Sequence, residues 1–451
     1  MKKVLLISPP MPNQRKMDLI PMGLLAVGGF LRKHGYETKV YNAAFMPKGV
    51  YQERIENTIK IIKDYAPGFI GLGFPTEAFE STIEIAKRAK ELDKDVVIIV
   101  GGIHPTAKPF ETMTVPYFDF LVYGEGEITT KELLDALIAQ TSLDKIKGIY
   151  FKPDRTILNT EPRPEISNLD DIPFATRDLL IDIEKYPKEA LGQIHTSRGC
   201  PYRCAYCSSS IIWGNKVRFR SVLNVISEID YLNSQFKVKN INFADDNFLL
   251  DPERVRTICE EILNRRLKIN WRCCARADIH RYFNADLLKL MRKAGCKQIC
   301  IGFESGSQQI LDDVNRGVNL INIKAVIKMM KDARIKLHAD FIIGLPGENE
   351  TTLMETFNLM KMVWDWCRPT ITVVLFKPYP GTKAYERKEL VDYKGLQNGF
   401  KKIFAYAEMC NIKNLSTKPG YVWDRIKISS FKEFGSLITK FVKSWFHRYG
   451  Y

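Results

Sequence analysis

Short β-branched runs alternate with longer amphipathic segments along most of this chain, and that alternation restricts the fold more than any other feature. In the first series the runs are KVLLIS, ETKVYN, GFIGLGF, DVVIIVGG and FDFLVYG, with helical periodicity near 22–34, 52–65, 79–92 and 127–139. Strands separated by helices join most simply as parallel βαβ units, so an α/β fold with a Rossmann-like, doubly wound parallel sheet is predicted over residues 1–142. The second series runs GQIHTS, INFADD, INWRCCA, KQICIGFE, KLHADFIIG and ITVVLFKP, with helical patterns near 218–236, 252–266, 285–294, 320–334 and 351–366. These six repeats fall short of the eight that close a TIM barrel, so a partial (β/α)6 TIM-type barrel is predicted over 191–385. Between the series, residues 143–190 read as a hairpin at GIYFKPDRTILN. An ordered linker at TEPRPEISNLDDIPFATRD follows, lying over the surface.

A chain of 451 residues is too long for one ordinary core and suggests two or three domains. Its 45% hydrophobic and 26% charged content describes a globular protein rather than a disordered one. No apolar run approaches the ~20 residues needed to span a bilayer, and MKKVLLISPP is too short and strand-like for a secretory signal. A cytoplasmic protein is expected. Its ten cysteines are then thiols, metal ligands or core residues rather than disulfides. The formal charge of +15 suits an anionic partner or a solubilising surface equally well.

Sheets of the first type bind ligands at the carboxyl ends of their strands. Those ends carry GFPTEAFES, GGIHPT and GEGE here. Gly101, Gly102, Gly124 and Gly126 allow close backbone approach to a ligand. Three such loops on one edge favour a ligand crevice over ordinary tight turns.

The stretch HTSRGCPYRCAYCSSS, His195–Ser210, sets Cys200, Cys204 and Cys207 within eight residues. A structural zinc site takes four ligands, usually as two separated C-x2-C pairs, and only one such pair is present. Three thiolates can instead hold three irons of a [4Fe–4S] cluster and leave the fourth open. Cys273, Cys274, Cys296 and Cys300 read as packing residues.

The C-x3-C-x2-C spacing and its surroundings resemble the radical S-adenosylmethionine superfamily. The resemblance implies that the open iron chelates S-adenosylmethionine, whose reductive cleavage yields a 5′-deoxyadenosyl radical. An external electron donor of flavodoxin or ferredoxin type is implied with it. By the same resemblance Tyr206 lies near the adenine, or simply packs beside the cluster. In FADDNFLLDPERV, one of Asp245, Asp246 and Asn247 bonds the methionine ammonium. This segment departs from the Gly-Gly-Glu version common in the family. In WRCCARAD, Arg276 is placed to grip the methionine carboxylate with two hydrogen bonds, or to form a surface salt bridge. GFESGSQQILDDVNRG resembles the fourth-strand motif, with Glu304 and Ser305 near ribose and methionine. DFIIGLPGE resembles the fifth, with Ile342, Gly344 and Leu345 at the adenine and Gly347 at a tight turn. KPYPGTKAYE closes the barrel as in relatives.

A Rossmann-like domain ahead of such a barrel resembles the cobalamin-binding branch of that superfamily, which is class B methyltransferase-like. PMGLLAVGGFLRKHGYETKVYNA, VGGIHPT and FDFLVYGEGE carry this likeness, which extends over about residues 1–385. It implies that Gly101, Gly102, His104, Gly124, Glu125 and Gly126 lie along the corrinoid's nucleotide tail. The D-x-H-x-x-G motif that supplies a lower-axial histidine is absent, and HGYETK does not replace it. Cobalamin-dependent methylation of an unactivated carbon in a small-molecule or lipid substrate follows as the implied activity. Radical cyclisation, rearrangement or carbon–carbon coupling stands as the alternative, with a non-catalytic corrinoid or cluster sensor behind it. Nucleic acid is not an expected partner, because related methylthiotransferases carry cluster cysteines in another amino-terminal domain and residues 1–199 hold none here.

Residues 386–451 read as a helical, basic amphipathic region. Phe431, Phe434, Ile438, Phe441 and Trp445 recur at helical spacing, with Lys432, Lys440, Lys443 and Arg448 off that stripe. Such a helix caps an open barrel or lies in a membrane interface, as a peripheral contact at the inner membrane face.

Overall fold

Every β-branched run of the first series forms a strand in the computed structural model, which describes residues 3–12, 19–45, 51–387 and 395–416. They are β1 (Lys3–Ser8), β2 (Glu37–Asn42), β3 (Phe69–Gly73), β4 (Val97–Gly101) and β5 (Phe120–Val122), all parallel in the order β2-β1-β3-β4-β5. The hairpin β6 (Ile149–Phe151) and β7 (Leu158–Asn159) extends the sheet antiparallel beyond β5. Helices Met22–Lys33, Tyr51–Tyr65, Phe79–Leu92 and Gly126–Ala139 make the crossovers. One core cluster joins Leu5, Ile7, Ile70, Leu72, Ile98 and Val100 to Ile55 and Ile85 of the helices. Each such side chain contributes ~1.5–3 kcal/mol on burial. Strand order reverses between β1 and β3, so the carboxyl edge there is the place for a ligand.

The chain divides into two compact units. One comprises the described residues of Met1–Pro201, Cys207–Asp246 and Tyr379–Thr382; the other comprises those of Tyr202–Tyr206, Asn247–Pro378 and Lys383–Tyr451.

In the first unit the linker is ordered, but it does not simply lie over the surface. Ile166, Leu169 and Ile172 pack against Phe30, and Ile181 donates its backbone N–H to Val40 at 2.9 Å. Arg177 is fully buried and donates to Glu228, and Arg220 reaches the other carboxylate oxygen of Glu228 at 2.5 Å. Arg177 also donates to the carbonyls of Ala175, Leu191 and Gln193. Linker, strand and helix Val222–Phe236 are thus held by one buried carboxylate.

The run GQIHTS is split into β8 (Gln193–Ile194) and β9 (Ser197–Arg198). β9 pairs antiparallel with β10 (Arg218–Phe219), and β8 pairs parallel with β11 (Asn240–Phe243).

The second unit contains β12 (Asn270–Arg276), β13 (Cys296–Glu304), β14 (Lys336–Ile343) and β15 (Thr370–Leu375), parallel and in sequence order. Burial alternates along them. Ile299, Ile301, Phe303, Leu337, Ala339 and Phe341 are buried, whereas Gln298, Cys300, His338 and Asp340 on the opposite face are partly open. Helix Gln397–Ser416 protects β15, Asn411 making both backbone hydrogen bonds to Ile371 at 2.8 and 3.0 Å. Among the described residues no helix is long and apolar enough to cross a membrane. The aromatic stripe Phe431 to Trp445 lies outside the described residues.

Candidate active site

The cysteine segment has neither helix nor strand between Gly199 and Ser208. Gly199 holds φ at +88°, and a Cβ there would stand 2.3 Å from the Lys216 carbonyl oxygen, so only glycine fits before Cys200. Cys200 is half-buried, Cys204 buried and Cys207 exposed.

In the second unit the segment around Cys204 is pinned to the turn after helix Gln308–Asp313. Ala205 donates its N–H to Val314 O at 2.8 Å, and Asn315 donates its side-chain amide to Arg203 O at 3.0 Å. Two guanidinium groups reach the Cys204 sulfur: Arg276 Nη1 at 3.6 Å and Arg316 Nη1 at 3.7 Å. Both donors are cationic and come from other segments of the same unit. Cys259, Cys273 and Cys296 are instead completely buried core thiols. Burial pushes Cys259 up to about 12 and raises Cys296 as well. Cys274 and Cys300 are not packing residues: they are register partners on β12 and β13, the first exposed and the second half-buried. A hydrogen bond with Cys274, followed by burial, raises the Cys300 thiol.

Arg276 is closely engaged. Its Nε lies 3.4 Å from Asp278 Oδ1, its Nη2 donates to Arg316 O, and the Tyr202 ring stacks 3.5 Å away. A two-bond grip on a carboxylate therefore requires it to release one of these partners. Arg316 donates to Gly302 O at 2.8 Å and lies 3.1 Å from Glu304 Oε1. Glu304 has φ +66° where the β13–β14 register shifts, which turns its side chain into this cluster. Burial raises its carboxyl, while Arg316 and the Tyr206 hydroxyl oppose that rise. Tyr206 and Ile342 flank a small apolar cluster of Ala205, Ile310, Val314, Leu345, Phe376 and Ala384. Ser305 is fully buried, bonded to Thr356 Oγ1 at 3.1 Å and accepting the Ser307 N–H at 3.1 Å.

The acidic triplet separates by partner. Asp245 accepts both the backbone N–H and the hydroxyl of Thr196, and Asp246 accepts the Ser209 hydroxyl. Asn247 is 8% exposed, and its Oδ1 has no hydrogen-bond partner among the described residues. That oxygen can accept a hydrogen bond from an ammonium group without first breaking another one.

Beyond β14, Gly344 donates its N–H to Glu348, whose other carboxylate oxygen is buried without a partner among the described residues. Burial lifts this carboxyl from 4.5 to about 7, against the opposing Gly344 hydrogen bond. The folded state then holds a proton that the unfolded chain loses, so stability falls as pH rises from about 4.5 to about 7. Glu348→Gln is expected to melt higher than the parent at pH 8, by up to about 3 kcal/mol of stability. The advantage should shrink toward pH 5 in anaerobic thermal melts; an offset independent of pH would contradict the assignment.

At the carboxyl edge of the first sheet, Gly102 has φ +99° and a Cβ there would lie 3.0 Å from Phe74 N. His104 is buried against Phe74 and Phe79, with Nδ1 3.2 Å from Thr76 Oγ1 and Nε2 without a partner among the described residues. Burial lowers its pKa, favouring the neutral ring. Gly101 ends β4, and Gly124, at φ +74°, has no other atoms within 4 Å of its Cβ position. Gly126 opens the helix Gly126–Ala139, preceded by Glu125. The Glu125 carboxylate accepts Arg198 Nη1 at 2.6 Å, Arg218 Nη1 at 2.7 Å and the Ile166 N–H at 2.7 Å. Glu127 takes the other end of Arg198 at 2.5 Å. His34 of HGYETK caps the far end of helix Met22–Lys33, bonded to Phe30 O at 2.8 Å.

One sheet thus ends in a strand-switch edge flanked by glycine loops, and in the second unit two guanidinium groups meet the sulfur of one cysteine of the motif. Residues 194–360 match the Radical SAM superfamily and residues 13–134 match the B12 binding domain. An uncharacterized methyltransferase of Pyrococcus horikoshii is 33% identical over 393 residues, covering 85% of this chain and 82% of that protein. The anaerobic magnesium-protoporphyrin IX monomethyl ester cyclase of Rubrivivax gelatinosus is 30% identical over 81% of this chain and 66% of its own length. The solved radical S-adenosylmethionine methyltransferase TsrM of Kitasatospora setae, with cobalamin and a [4Fe–4S] cluster bound, superposes with a TM-score of 0.71 at 18% identity. That superposition covers 85% of this chain and 77% of the other, and it shows a shared fold. This chain belongs to the cobalamin-dependent radical S-adenosylmethionine methyltransferase family. Its cofactors are a [4Fe–4S] cluster, S-adenosylmethionine and cobalamin.

The chemistry of the donors suits the cluster: Cys200, Cys204 and Cys207 are three thiols of one segment, and two guanidinium donors stand at hydrogen-bonding distance from Cys204. Asn247 offers a free acceptor, and the Tyr206–Ile342 face offers an apolar surface. Arg316 escaped the sequence reading; its only signal is the NRG that ends the fourth-strand motif.

Proposed function

We propose that this enzyme transfers a methyl group to an unactivated carbon of a small molecule. The observation that carries the proposal is the union in one chain of a corrinoid-binding sheet and a cluster-bearing barrel. When bound, the cluster supplies the electron that cleaves the sulfonium, and the corrinoid supplies a carrier for the methyl group. The protein's own residues bind and orient. Cys200, Cys204 and Cys207 hold three irons, and Asn247 Oδ1 accepts from the methionine ammonium. Tyr206 and Ile342 offer an apolar face to the adenine. Holding the reacting atoms in line is the main contribution a protein makes to such chemistry. The +15 charge suits a small acidic electron donor of flavodoxin or ferredoxin type.

Asn247→Ala is expected to weaken S-adenosylmethionine binding about tenfold or more, the loss expected for a hydrogen bond to a charged group. Asp246→Asn should leave binding within about twofold, because Asp246 already serves Ser209. Equilibrium binding to the cluster-loaded protein distinguishes the two; a larger loss for Asp246→Asn would reverse the assignment.

The activity itself is tested by supplying the reconstituted holoenzyme with methyl-deuterated S-adenosylmethionine and a polar metabolite extract. The expected product carries a trideuteromethyl group in place of hydrogen, formed alongside 5′-deoxyadenosine. Deoxyadenosine with a consumed substrate but no labelled carbon would contradict methyl transfer.

A further inference from the structure

Within the second unit, Cys204 differs in its surroundings from the buried core thiols. The residue is 9% exposed, and its sulfur lies within hydrogen-bonding distance of two guanidinium groups, Arg276 Nη1 at 3.6 Å and Arg316 Nη1 at 3.7 Å. Both arginines are almost wholly buried, at 4% and 8% exposure. Each is held in place from behind. Arg276 is fixed by Asp278, the Arg316 carbonyl and the Tyr202 ring; Arg316 is fixed by Glu304 and the Gly302 carbonyl. The contact does not come from adjacency in sequence, since Cys204 is separated from the arginines by 72 and 112 positions.

We infer that Arg276 and Arg316 set the reduction potential of the cluster by donating charged hydrogen bonds to the Cys204 sulfur. The inference rests on the cluster assignment and adds to it a role for residues that need not touch either S-adenosylmethionine or substrate. Reduction adds one electron, taken from an external one-electron donor, to the cluster, and part of that negative charge falls on the thiolate sulfurs. N–H donors aimed at such a sulfur stabilise the reduced state more than the oxidised one and raise the potential. Burial strengthens the effect, because little water is present to screen it.

The two donors converge on the middle cysteine of the motif. A weak physiological reductant can then load the cluster, and the electron is held until S-adenosylmethionine arrives. Arg276 and Arg316 are thus positioning and tuning residues, acting through Cys204.

The test is a mediated redox titration of the cluster-loaded holoenzyme, without substrate, followed by the electron paramagnetic resonance signal of the reduced cluster. Arg276→Gln and Arg316→Gln should each lower the ratio of reduced to oxidised cluster about tenfold at a fixed donor potential, equivalent to about 59 mV for one electron. The double variant should fall further, and the resonance line shape should change. Arg272→Gln removes an equal charge from the same strand, at an exposed position, and should leave the potential at the parent value. Iron and sulfide per chain are measured in parallel. Should a glutamine variant fail to retain iron, the lysine variants at the same positions keep the charge and should give a smaller shift of the same sign. Unchanged potentials in iron-replete Arg276 and Arg316 variants would overturn the inference, as would an equal shift in Arg272→Gln. Complete absence of a cluster from the parent protein would instead overturn the underlying cofactor reading.

Discussion

Cys204→Ser is expected to abolish reductive cleavage of S-adenosylmethionine and to strip most iron from the anaerobically purified protein. The thiol it removes is the buried one of the three and lies within hydrogen-bonding distance of two guanidinium groups. A neutral hydroxyl cannot ligate iron as a thiolate does, and it takes from Arg276 and Arg316 the sulfur that both reach beside their carboxylate partners Asp278 and Glu304. Cys200→Ser and Cys207→Ser should be equally inactive, because groups that act as a unit do not contribute additively. The triple variant should be no worse than any single one. Cys204→Ser should also lose thermal stability in the iron-free state, because Cys204 is the buried one of the three. Iron content, 5′-deoxyadenosine yield and melting of the apo-proteins measure the three effects. Residual activity above about one part in a thousand in Cys204→Ser would argue that it is not a ligand.

Glu228→Ala should cost about 3–5 kcal/mol of stability, the price of breaking a buried ion pair from one side. Its carboxylate balances Arg177, which is completely buried, and Arg220, at 2.5 Å. Removing it leaves two cations in the interior at the place where linker, β8 and helix Val222–Phe236 meet. Glu228→Gln keeps the shape and should cost less, yet still more than a surface substitution. Denaturant unfolding of the apo-protein under anaerobic conditions gives the comparison. A loss below about 0.5 kcal/mol would show the carboxylate to be dispensable.

Much of the fold was legible because β-branched runs and amphipathic segments obey separate periods. KVLLIS, ETKVYN and GFIGLGF became strands within a residue or two of their expected limits. The linker was harder to read. Prolines and charges in TEPRPEISNLDDIPFATRD suggested a surface path, but Leu169, Ile172, Leu179 and Arg177 are spaced irregularly and show their burial only once Phe30 and Glu228 are in place. GQIHTS looked like one strand and is two, because Ser197 and Arg198 find an antiparallel partner in Arg218 and Phe219. That pairing depends on residues 20 positions away, which no local propensity records.

The candidate site divides in the same way. The three cysteines announce themselves by spacing alone. Which of Asp245, Asp246 and Asn247 stays available depends on Thr196 and Ser209, which the fold brings in from elsewhere in the chain. Arg276 was noticed for its charge, but its commitment to Cys204, Asp278 and the Arg316 carbonyl was invisible in WRCCARAD. Glu125 read as a ligand contact, and its carboxylate proves to be engaged by Arg198, Arg218 and the Ile166 amide.

The central claim is that one chain holds a cluster, S-adenosylmethionine and a corrinoid together. It is tested most directly by purifying the full chain anaerobically from cells supplied with cobalamin and recording visible absorption with iron, sulfide and corrinoid counts. The account predicts one four-iron cluster and about one corrinoid per chain, with 5′-deoxyadenosine released when a reductant and S-adenosylmethionine are added. A protein replete in iron but free of corrinoid after that supply, or one that binds both and never cleaves S-adenosylmethionine, would contradict it.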